Sequence, residues 1–448
     1  MISVVIVGAG PAGMMAAVAA AEAGASVTLL ERNPFPGKKL RITGKGRCNV
    51  TNNCSPREVV EAVTANPKFL YGAVNRFSPA DTMAFFENAG VPLKTERGRR
   101  VFPVSDKAAD IQEAMKRKLR EAGVRLLCGI RVTSLRSPEG DGEKWTVLAE
   151  RTEREERKRD HEAGGPREEA APKREKLRFE ADRVILCTGG VSYPLTGSDG
   201  DGHRMLKSLG VGITELKPSL VPIETKENFA PLSGLTLKNV TLTAWLGNDA
   251  VYSEMGEMLF THFGVSGPLV LSASANMQKR PVTEYRLTVN LKPALTPEEL
   301  DKRIRSDLEK YAAKDFVNAL TDLLPKAMIP YVVKQCGVDP RKKTGEVTRE
   351  ERQALADVLT GFRIVPTGFR PIAEAIITAG GADVREIDPK TMEVRRCPGL
   401  YAAGELLDVN AYTGGYNLQI AFATGRAAGT AAGSAAGSAA GSAAGSEN

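Results

Sequence analysis

Three glycines near the N-terminus, Gly8, Gly10 and Gly13, follow an apolar run and precede a helical pattern. Strand–turn–helix sites use this spacing to bind the pyrophosphate of a dinucleotide. Gly8 permits a tight turn, Gly10 lets the backbone approach the phosphates, and Gly13 lets the helix pack on the strand. A second apolar run ends in Glu31, whose carboxylate is suited to accept the hydroxyls of an adenosine ribose. Together, these residues predict a dinucleotide-binding site at the N-terminus of a helix.

A second glycine-rich region lies near the C-terminus. A predicted strand ends in a turn with two carboxylates, Glu405 and Asp408, and either one is suited to hold ribityl hydroxyls. Gly414 and Gly415 then precede a helix rich in small residues, Ile420 to Ala428. The N-terminus of such a helix stabilises negative charge beside it, as on a flavin ring during reduction.

Basic residues are concentrated in one part of the chain. The 448 residues have a formal net charge of +7, and the segment between Glu31 and Arg131 holds twenty Lys or Arg against ten Asp or Glu. No aromatic residues alternate with these charges, and the first cluster directly follows Glu31. We therefore interpret it as neutralising a cofactor diphosphate rather than binding nucleic acid. A solvated basic surface is the alternative for individual lysines. The two clusters are Lys38, Lys39, Arg41, Lys45 and Arg47, and then Arg97, Arg99 and Arg100.

Cysteine and histidine are too sparse and too scattered to predict a metal site. The chain has six cysteines, three histidines and no C-x-x-C motif. Five residues separate Cys48 from Cys54, not four as in the redox-active pairs of flavin disulfide reductases, so we expect two reduced thiols. No segment is long and apolar enough to span a bilayer, and no basic region precedes the apolar start. We therefore predict a cytoplasmic protein without a membrane partner.

Apolar periodicity predicts how the chain is divided. Residues 150–178 hold ten basic and nine acidic residues and almost no apolar ones, and they lie between two alternating segments, which indicates an insertion at the tip of a β-hairpin. Strand patterns without intervening helices follow from about residue 216, and two capping sequences begin a helical part at Thr296 and Thr348. The predicted units are a cofactor domain of residues 1–215 and 379–430, an inserted β domain of residues 216–296 and 361–378, a helical subdomain of residues 297–360, and a flexible Ala/Gly/Ser tail of residues 431–448.

Four runs of residues, taken together, carry a resemblance to a known family. They are Gly37–Asn52, Gly98–Pro103, Phe260–Pro268 and Gly414–Asn417. The runs resemble the HI0933-like flavoproteins, which are described as NAD(P)/FAD-dependent oxidoreductases or as an aminoacetone oxidase family. The resemblance implies an α/β fold of the glutathione-reductase type, that is, a Rossmann FAD-binding domain with an inserted β-barrel and a helical subdomain. It also implies FAD as the cofactor.

The expected FAD contacts combine the two glycine-rich regions, the first basic cluster and the residues that the resemblance adds. Val132 follows a predicted strand at a position that often contacts adenine, and Thr188, Gly189 and Gly190 form a small-residue turn suited to close approach of the backbone. The full predicted set is Gly8, Ala9, Gly10, Pro11, Ala12, Gly13, Glu31, Arg32, Lys38, Lys39, Thr43, Gly44, Arg47, Cys48, Asn49, Val132, Thr188, Gly189, Gly190, Gly404, Glu405, Asp408, Gly414, Gly415, Tyr416, Asn417 and Leu418.

The predicted activity is transfer of hydride or electrons between flavin and a small organic substrate. His262, in a Gly-rich loop, is the candidate catalytic proton shuttle, and a structural histidine is the alternative. No second complete G-x-G-x-x-G motif follows a strand, so we expect no separate NAD(P)H domain. NAD(P)H would then bind only transiently, as an electron donor, or not at all. Two other functions stay open: an FAD-dependent enzyme that modifies nucleic acid such as tRNA, and a non-enzymatic flavin redox sensor. The sequence predicts neither the substrate nor the oligomeric state.

Overall fold

The computed structural model of the protein describes residues 1–140, 142–152 and 174–434. The strands in this part of the chain are β1 Ser3–Val7, β2 Ser26–Glu31, β3 Thr51–Asn52, β4 Val63–Ala65, β5 Leu93–Glu96, β6 Arg100–Pro103, β7 Arg125–Cys128, β8 Ile130–Arg136, β9 Trp145–Thr152, β10 Arg174–Ala181, β11 Arg183–Leu186, β12 Lys217–Ser219, β13 Ile223–Thr225, β14 Thr236–Leu246, β15 Asp249–Thr261, β16 Gly264–Ser266, β17 Tyr285–Asn290, β18 Phe362–Ile364, β19 Pro366–Phe369, β20 Ile377–Ala379, β21 Leu400–Ala402 and β22 Asn410–Ala411. The helices are α1 Pro11–Glu22, α2 Pro56–Glu61, α3 Pro67–Arg76, α4 Pro79–Asn88, α5 Ala108–Glu121, α6 Asp201–Ser208, α7 Pro268–Asn276, α8 Pro297–Lys310, α9 Phe316–Ala319, α10 Ile329–Cys336, α11 Arg349–Thr360 and α12 Tyr416–Gly433.

The chain divides into two compact units. The first combines Met1–Lys217 with Ile377–Asn448, and the second is Pro218–Ile376. The predicted cofactor domain ended at residue 215 and resumed at residue 379, so both of its inner boundaries lie within two residues of these limits.

A five-stranded parallel sheet forms the centre of the first unit, in the order β21-β11-β1-β2-β7. β1 is the central strand of this sheet, so both of its faces are covered. Its residues Val4–Val7 are accordingly apolar and buried. The carboxyl ends of parallel strands share one edge of a sheet. That edge therefore holds the residues that follow the strands: Gly8 after β1, Thr188 after β11 and Gly404 after β21.

The charged insertion and the tail lie mostly outside the described residues. β9 and β10, the strands on either side of the insertion, pair antiparallel from Trp145–Ala181 to Thr152–Arg174. The predicted flexible tail begins too early, because α12 continues to Gly433. The buried Arg183 side chain explains this extension, since its Nη1 donates to the carbonyl oxygens of Ala431, Ala432 and Ser434 at 2.8–3.0 Å. A cation at this position satisfies the last carbonyl groups of the helix.

The second unit is built on a seven-stranded antiparallel sheet, in the order β18-β17-β14-β15-β16-β13-β19. Helices α8, α10 and α11 contribute to the same hydrophobic core as this sheet. Thr296 and Thr348 form the capping boxes that the sequence indicates, each accepting from the backbone N–H of the glutamate three residues later. The expectation of strands without intervening helices is wrong at one place, because α7 lies between β16 and β17.

Candidate functional site

The turn between β1 and α1 requires glycine at two of its three motif positions because backbone atoms crowd them. A Cβ at Gly13 would lie 1.9 Å from the Gly8 carbonyl oxygen, and one at Gly8 would lie 2.5 Å from the Cys187 carbonyl oxygen. No heavy atom lies within 4 Å of a Cβ built at Gly10. The close packing thus involves Gly8 and Gly13, whereas Gly10 presents open backbone at the start of α1, where N–H groups attract phosphate oxygens. Ala9, Pro11 and Ala12 complete this turn.

Glu31 lies beside the glycine turn. Its side chain is buried, Oε2 accepts the Ala9 N–H at 2.8 Å, and Oε1 accepts the backbone N–H and the Nδ2 of Asn33 at 2.7 Å each. These donors hold the carboxylate at the end of β2, next to the start of α1. The neighbouring Arg32 pairs with Asp199 and, at 3.3 Å, with Asp201.

Val132 lies buried in β8, in the strand that also presents Arg131. Arg131 Nε donates to Asp201 Oδ2 at 2.8 Å and Nη2 to Oδ1 at 2.9 Å, which links β8 to the start of α6. Burial opposes ionisation of Asp201, but the hydrogen bonds from Arg131 and Arg204 outweigh it and lower its pKa to about 2.

The first basic cluster lies in a loop and short 3₁₀ segment after β2, and the Gly37 N–H joins this loop to the glycine turn by donating to the Ala9 carbonyl at 2.8 Å. Lys39 Nζ donates to Glu405 Oε2 and Ser192 Oγ, both at 2.8 Å. Lys38 Nζ donates to the Leu195 carbonyl at 2.6 Å. The structure therefore pairs two predicted cofactor residues, Lys39 and Glu405, with each other.

Arg47 pairs with protein carboxylates. Its guanidinium contacts Glu96 and Asp106, and it lies 4.1 Å from the centre of the Phe102 ring. Hydrogen bonds to the two carboxylates raise the pKa of Arg47. These contacts of the Arg47 side chain with other protein residues therefore order the loop.

The end of the same loop contains buried groups. Cys48 is buried, its N–H donates to the Thr43 carbonyl at 3.0 Å, and burial raises the pKa of its thiol to about 12. Cys54 is half-buried, and its pKa is raised to about 11, mainly by burial. Both residues are free thiols in the described structure and are not ionised near neutral pH. A Cβ at Gly44 would lie 2.9 Å from the Asn49 N, so this loop is tightly folded.

The turn after β11 is closed by Thr378. Its Oγ1 accepts the Val191 N–H at 2.8 Å, and a Cβ at Gly190 would lie 2.3 Å from it. A Cβ at the neighbouring Gly189 would lie 2.9 Å from Ser198 Oγ. Thr188 Oγ1 and Asn49 Oδ1 are buried and have no hydrogen-bond partner among the described residues.

The C-terminal region forms a second closely packed turn. The Gly404 N–H donates to Thr424 Oγ1 at 3.0 Å, and a Cβ at Gly415, which has a φ of 100°, would lie 2.4 Å from the Thr51 carbonyl. Asn417 bonds both the N–H and the carbonyl of Ala411, at 3.0 and 2.8 Å, so its side chain orders the preceding loop. Burial raises the pKa of Asp408.

The start of α12 is also held by a buried amide. Gln419 Oε1 accepts the hydroxyls of Thr51 and Thr82, and its Nε2 donates to the Phe77 carbonyl, all at 2.8 Å. Leu418 and Tyr416 pack partly buried against the core of this unit, and a Cβ at Gly414 would lie 3.0 Å from the Tyr416 ring. Sequence reasoning missed Gln419 as a positioning residue.

Glycines in α12 explain how α1 and α12 come together. Cβ atoms at Gly425, Gly429 and Gly433 would lie 2.3, 2.2 and 2.5 Å from the carbonyl oxygens of Ala12, Ala16 and Ala20. The contacts advance along both helices in the same direction, so the helices are parallel. α12 starts nine residues before its first contact glycine, whereas α1 starts one residue before the matching alanine. The N-terminus of α12 therefore extends about eight residues, or roughly 12 Å, beyond that of α1.

The two helix N-termini therefore point the same way and are offset along the helix axes, and each favours a negatively charged group beside it. Sequence reasoning noted a helix of small residues but not this contact. The G-x₃-G-x₃-G spacing was the signal that could have shown it.

His262 lies in the second unit, at the tip of the hairpin between β15 and β16. Its side chain is exposed, and its ring meets the Phe263 ring edge-on at 5.0 Å. Its catalytic role stays a prediction.

The whole chain can be compared with known proteins. A family model described as the HI0933-like protein Rossmann domain matches residues 2–431. The chain belongs to the HI0933-like family. The predicted family is confirmed, and so are the α/β fold class and the assignment as a flavin-dependent oxidoreductase.

Two curated relatives extend over almost the same length as the HI0933-like match. The chain is 30% identical over 429 residues to the 3-dehydro-bile acid delta(4,6)-reductase of Clostridium scindens, with 94% of this chain and 97% of the relative covered. It is 28% identical over 428 residues to the ribosomal RNA dihydrouridine synthase of Haemophilus influenzae, with 94% and 96% covered. A solved 3-ketosteroid-delta4-(5alpha)-dehydrogenase from Rhodococcus jostii RHA1 shares the fold, with a TM-score of 0.50 at 17% identity over 96% of each chain.

The residues of this HI0933-like protein fit FAD, the cofactor of its family. Open backbone at Gly10 and a buried carboxylate at Glu31 lie at the edge of the parallel sheet, where dinucleotides bind in such folds. Among the described residues, Asn49 Oδ1 and Thr188 Oγ1 have no hydrogen-bond partner. The Asn49 oxygen would accept a hydrogen bond from a polar ligand, and the Thr188 hydroxyl would accept or donate one. The individual FAD contacts stay predictions.

None of the helices among the described residues has the length and apolar character needed to cross a bilayer. No group of three or more His, Cys, Asp or Glu side chains in the same part of the chain is arranged to hold a metal ion. The predicted cytoplasmic location stays a prediction.

Proposed function

We propose that this protein is an FAD-dependent reductase that saturates a carbon–carbon double bond conjugated to a carbonyl group in a small organic substrate. The observation that carries the proposal is the chemistry shared by two of its relatives. A 3-dehydro-bile acid delta(4,6)-reductase acts on double bonds conjugated to a 3-ketone, and a dihydrouridine synthase saturates the ring double bond of uridine beside its carbonyl.

Saturation of such a bond adds a hydride at the carbon distant from the carbonyl and a proton at the adjacent carbon. FAD, when bound, supplies the hydride chemistry. In this proposal Gly10, Glu31 and the start of α1 bind the ADP half of FAD, and the loop of Lys39, Thr43 and Asn49 lines its pyrophosphate and flavin side. NAD(P)H is the proposed source of the two electrons.

The chain's own residues have two proposed roles in this reaction. The N-terminus of α12, fixed by Gln419 and Gly415, stabilises negative charge beside it, an effect of about 0.3–1 kcal/mol. His262 is proposed to donate the proton, because an imidazole can supply one near neutral pH and its side chain is exposed at a hairpin tip.

A small organic substrate fits the charge distribution of the cofactor domain. Several members of the basic segment are paired internally: Arg32 with Asp199, Lys39 with Glu405, and Arg47 with Glu96. These pairs reduce the positive surface that would be offered to a polyanion.

The experiment is anaerobic reduction of the yellow holoenzyme with NADH or NADPH, followed by mixing with acceptors. We expect a 3-oxo-4,6-diene steroid to reoxidise the flavin and gain two hydrogen atoms by mass, whereas the saturated 3-oxo steroid should not react. The proposal fails if no conjugated enone reoxidises the flavin or if the saturated ketone reacts equally fast.

Modification of ribosomal RNA is the second candidate, because one relative has that activity. It predicts tight RNA binding that weakens steeply with salt. Reoxidation of the reduced enzyme by uridine-containing RNA, with no reaction of the steroid dienone, would favour it over the first candidate.

A further inference from the structure

The turn between β5 and β6 presents three arginines at its tip. Arg97, Arg99 and Arg100 are exposed, and the chain reverses through Gly98 and Arg99 at positive φ values of 73° and 58°. A non-glycine residue in this region costs of order 1 kcal/mol, which the surrounding structure must offset.

The arginine turn is fixed to the N-terminal end of α12. Asn52, which is 2% exposed, donates through Nδ2 to the carbonyl oxygens of Gly98 and Gly414, at 3.0 and 3.1 Å. The Asn53 N–H donates to the Arg99 carbonyl at 2.7 Å. A single buried side chain thus joins the arginine turn to Gly414, two residues before the start of α12.

Two of the three arginines lack an acidic partner. Arg99 Nη1 pairs with Glu58 Oε1 at 2.7 Å, whereas neither Arg97 nor Arg100 reaches a carboxylate in the part of the chain that the structure describes. Arg100 Nε donates to the Arg97 carbonyl at 3.0 Å, which turns its guanidinium back over the turn.

The neighbouring cations are arranged differently. Arg47 and Lys94 share the two carboxylates of Glu96 and Asp106. Their charges are therefore compensated within the protein, in contrast to those of Arg97 and Arg100.

We propose that Arg97 and Arg100 bind the anionic group, a phosphate or a carboxylate, of a small ligand that approaches the N-terminus of α12. Guanidinium groups present forked donors that match both anions, and the helix N-terminus adds a favourable potential. The inference rests on the proposed function, which supplies two ligands of this chemistry: NADPH, with its 2′-phosphate, and a substrate with a carboxylate side chain.

The test compares two matched pairs of probes on the wild-type holoenzyme and on the Arg97→Gln/Arg100→Gln variant. The first pair is NADP⁺ and NAD⁺, and the second is a 3-oxo-4,6-diene steroid acid and its neutral methyl ester. Dissociation constants are measured by calorimetry or by the change in the flavin spectrum, at low salt and at about 0.5 M salt. Arg57→Gln is the control, because Arg57 is exposed and its one ion pair among the described residues is with Glu61 on its own helix.

In the wild-type protein we expect the charged member of one pair to bind more tightly than its neutral partner, and less so at high salt. The double variant should weaken that member about tenfold and leave the neutral partner within about twofold. The pair that responds identifies the source of the anion.

The inference is overturned if the wild-type protein shows no charge preference in either pair. It is also overturned if the variant changes both preferences less than about threefold, or if it weakens charged and neutral probes alike. Binding is measured without turnover, so these outcomes are separate from a failure of the reductase proposal. The ratio of flavin to protein absorbance reports that the variant is folded.

Discussion

Helices α1 and α12 both depend on glycine, but for different reasons. In the turn before α1, Gly13 faces the carbonyl oxygen of Gly8, five residues earlier in the same turn. In α12, Gly425 and Gly429 face the backbone of α1, at the opposite end of the chain. The first arrangement is a local motif that predicts a ligand. The second is a contact between distant segments that determines where the N-terminus of α12 lies.

Substitutions in the glycine turn should separate its packing role from its binding role, and they should have the largest effects. We expect Gly13→Ala to lose both fold and flavin, because the new Cβ would lie 1.9 Å from a backbone oxygen. Gly10→Ala should fold but lose FAD affinity at least about tenfold, since its Cβ meets no protein atom and would occupy the approach to the helix N-terminus. Thermal unfolding and the ratio of flavin to protein absorbance check both outcomes.

Equal behaviour of the two variants would contradict this division of roles. Gly24→Ala is the matched control for substitution as such, because a Cβ at Gly24 also meets no atom within 4 Å. Gly24 has a positive φ, so a small loss of stability without loss of FAD is expected there.

The distant contact can be tested by Gly429→Ala. The Cβ would lie 2.2 Å from the Ala16 carbonyl oxygen, so α12 must move away from α1. Overpacking of this kind costs about 1–3 kcal/mol, partly offset by the higher helix propensity of alanine. Urea unfolding of the apoprotein measures the change, and Thr430→Ala, at an exposed position of the same helix, is the control. A neutral or stabilising Gly429→Ala would show that the two helices do not need this close approach.

The position of the α12 N-terminus depends on Gln419 as well. Gln419→Leu should destabilise the protein by about 1–3 kcal/mol, because the hydroxyls of Thr51 and Thr82 and the Phe77 carbonyl would lose their buried partner. FAD affinity should fall with it, whereas Gln278→Leu, whose amide is only half-buried in the second unit, should leave FAD binding unchanged. If Gln419→Leu left the stability unchanged, the hydrogen bonds of Gln419 would not be what holds the start of α12.

The smallest expected effect is a pH dependence from α6, next to the turn of Gly404. His203 is buried, and burial lowers its pKa below the ordinary value of 6.5, against the opposing influence of the Leu406 backbone and Glu405. The unfolded chain therefore binds the proton more readily, so this contribution to stability is present above pH 6.5 and is lost as the pH falls towards the folded-state pKa. Unfolding free energies between pH 5 and 7.5 should show this slope in the wild type and a smaller slope in His203→Gln.

Much of the cofactor domain could be predicted because its signals are local. Gly8, Gly10, Gly13 and Glu31 lie within a single strand–helix–strand unit, and the structure places all four at one edge of the sheet. The capping boxes at Thr296 and Thr348 are equally local, since each links residues three apart.

Partners that are distant in sequence could not be predicted. Lys39 and Glu405 are each predicted to contact the cofactor, and the fold also pairs them with each other across the domain. Arg47 is predicted to line the pyrophosphate and flavin side of FAD, and the fold pairs it with Glu96 and Asp106. A charge pattern shows that a cation is present, but it does not show which carboxylate the fold brings to it.

The sequence by itself determined that this protein builds a dinucleotide turn, a family-specific basic loop and a small-residue helix, because each depends on neighbouring residues. The tertiary structure decided which of these residues are engaged with one another and how the helices align. Gly425, Gly429 and Gly433 set the depth of α12 against α1, and Asn52 joins the arginine turn to the start of α12. These contacts form only when the two ends of the chain meet in one sheet. The glycine spacing of α12 indicates a close helix contact, but it does not show which segment is the partner.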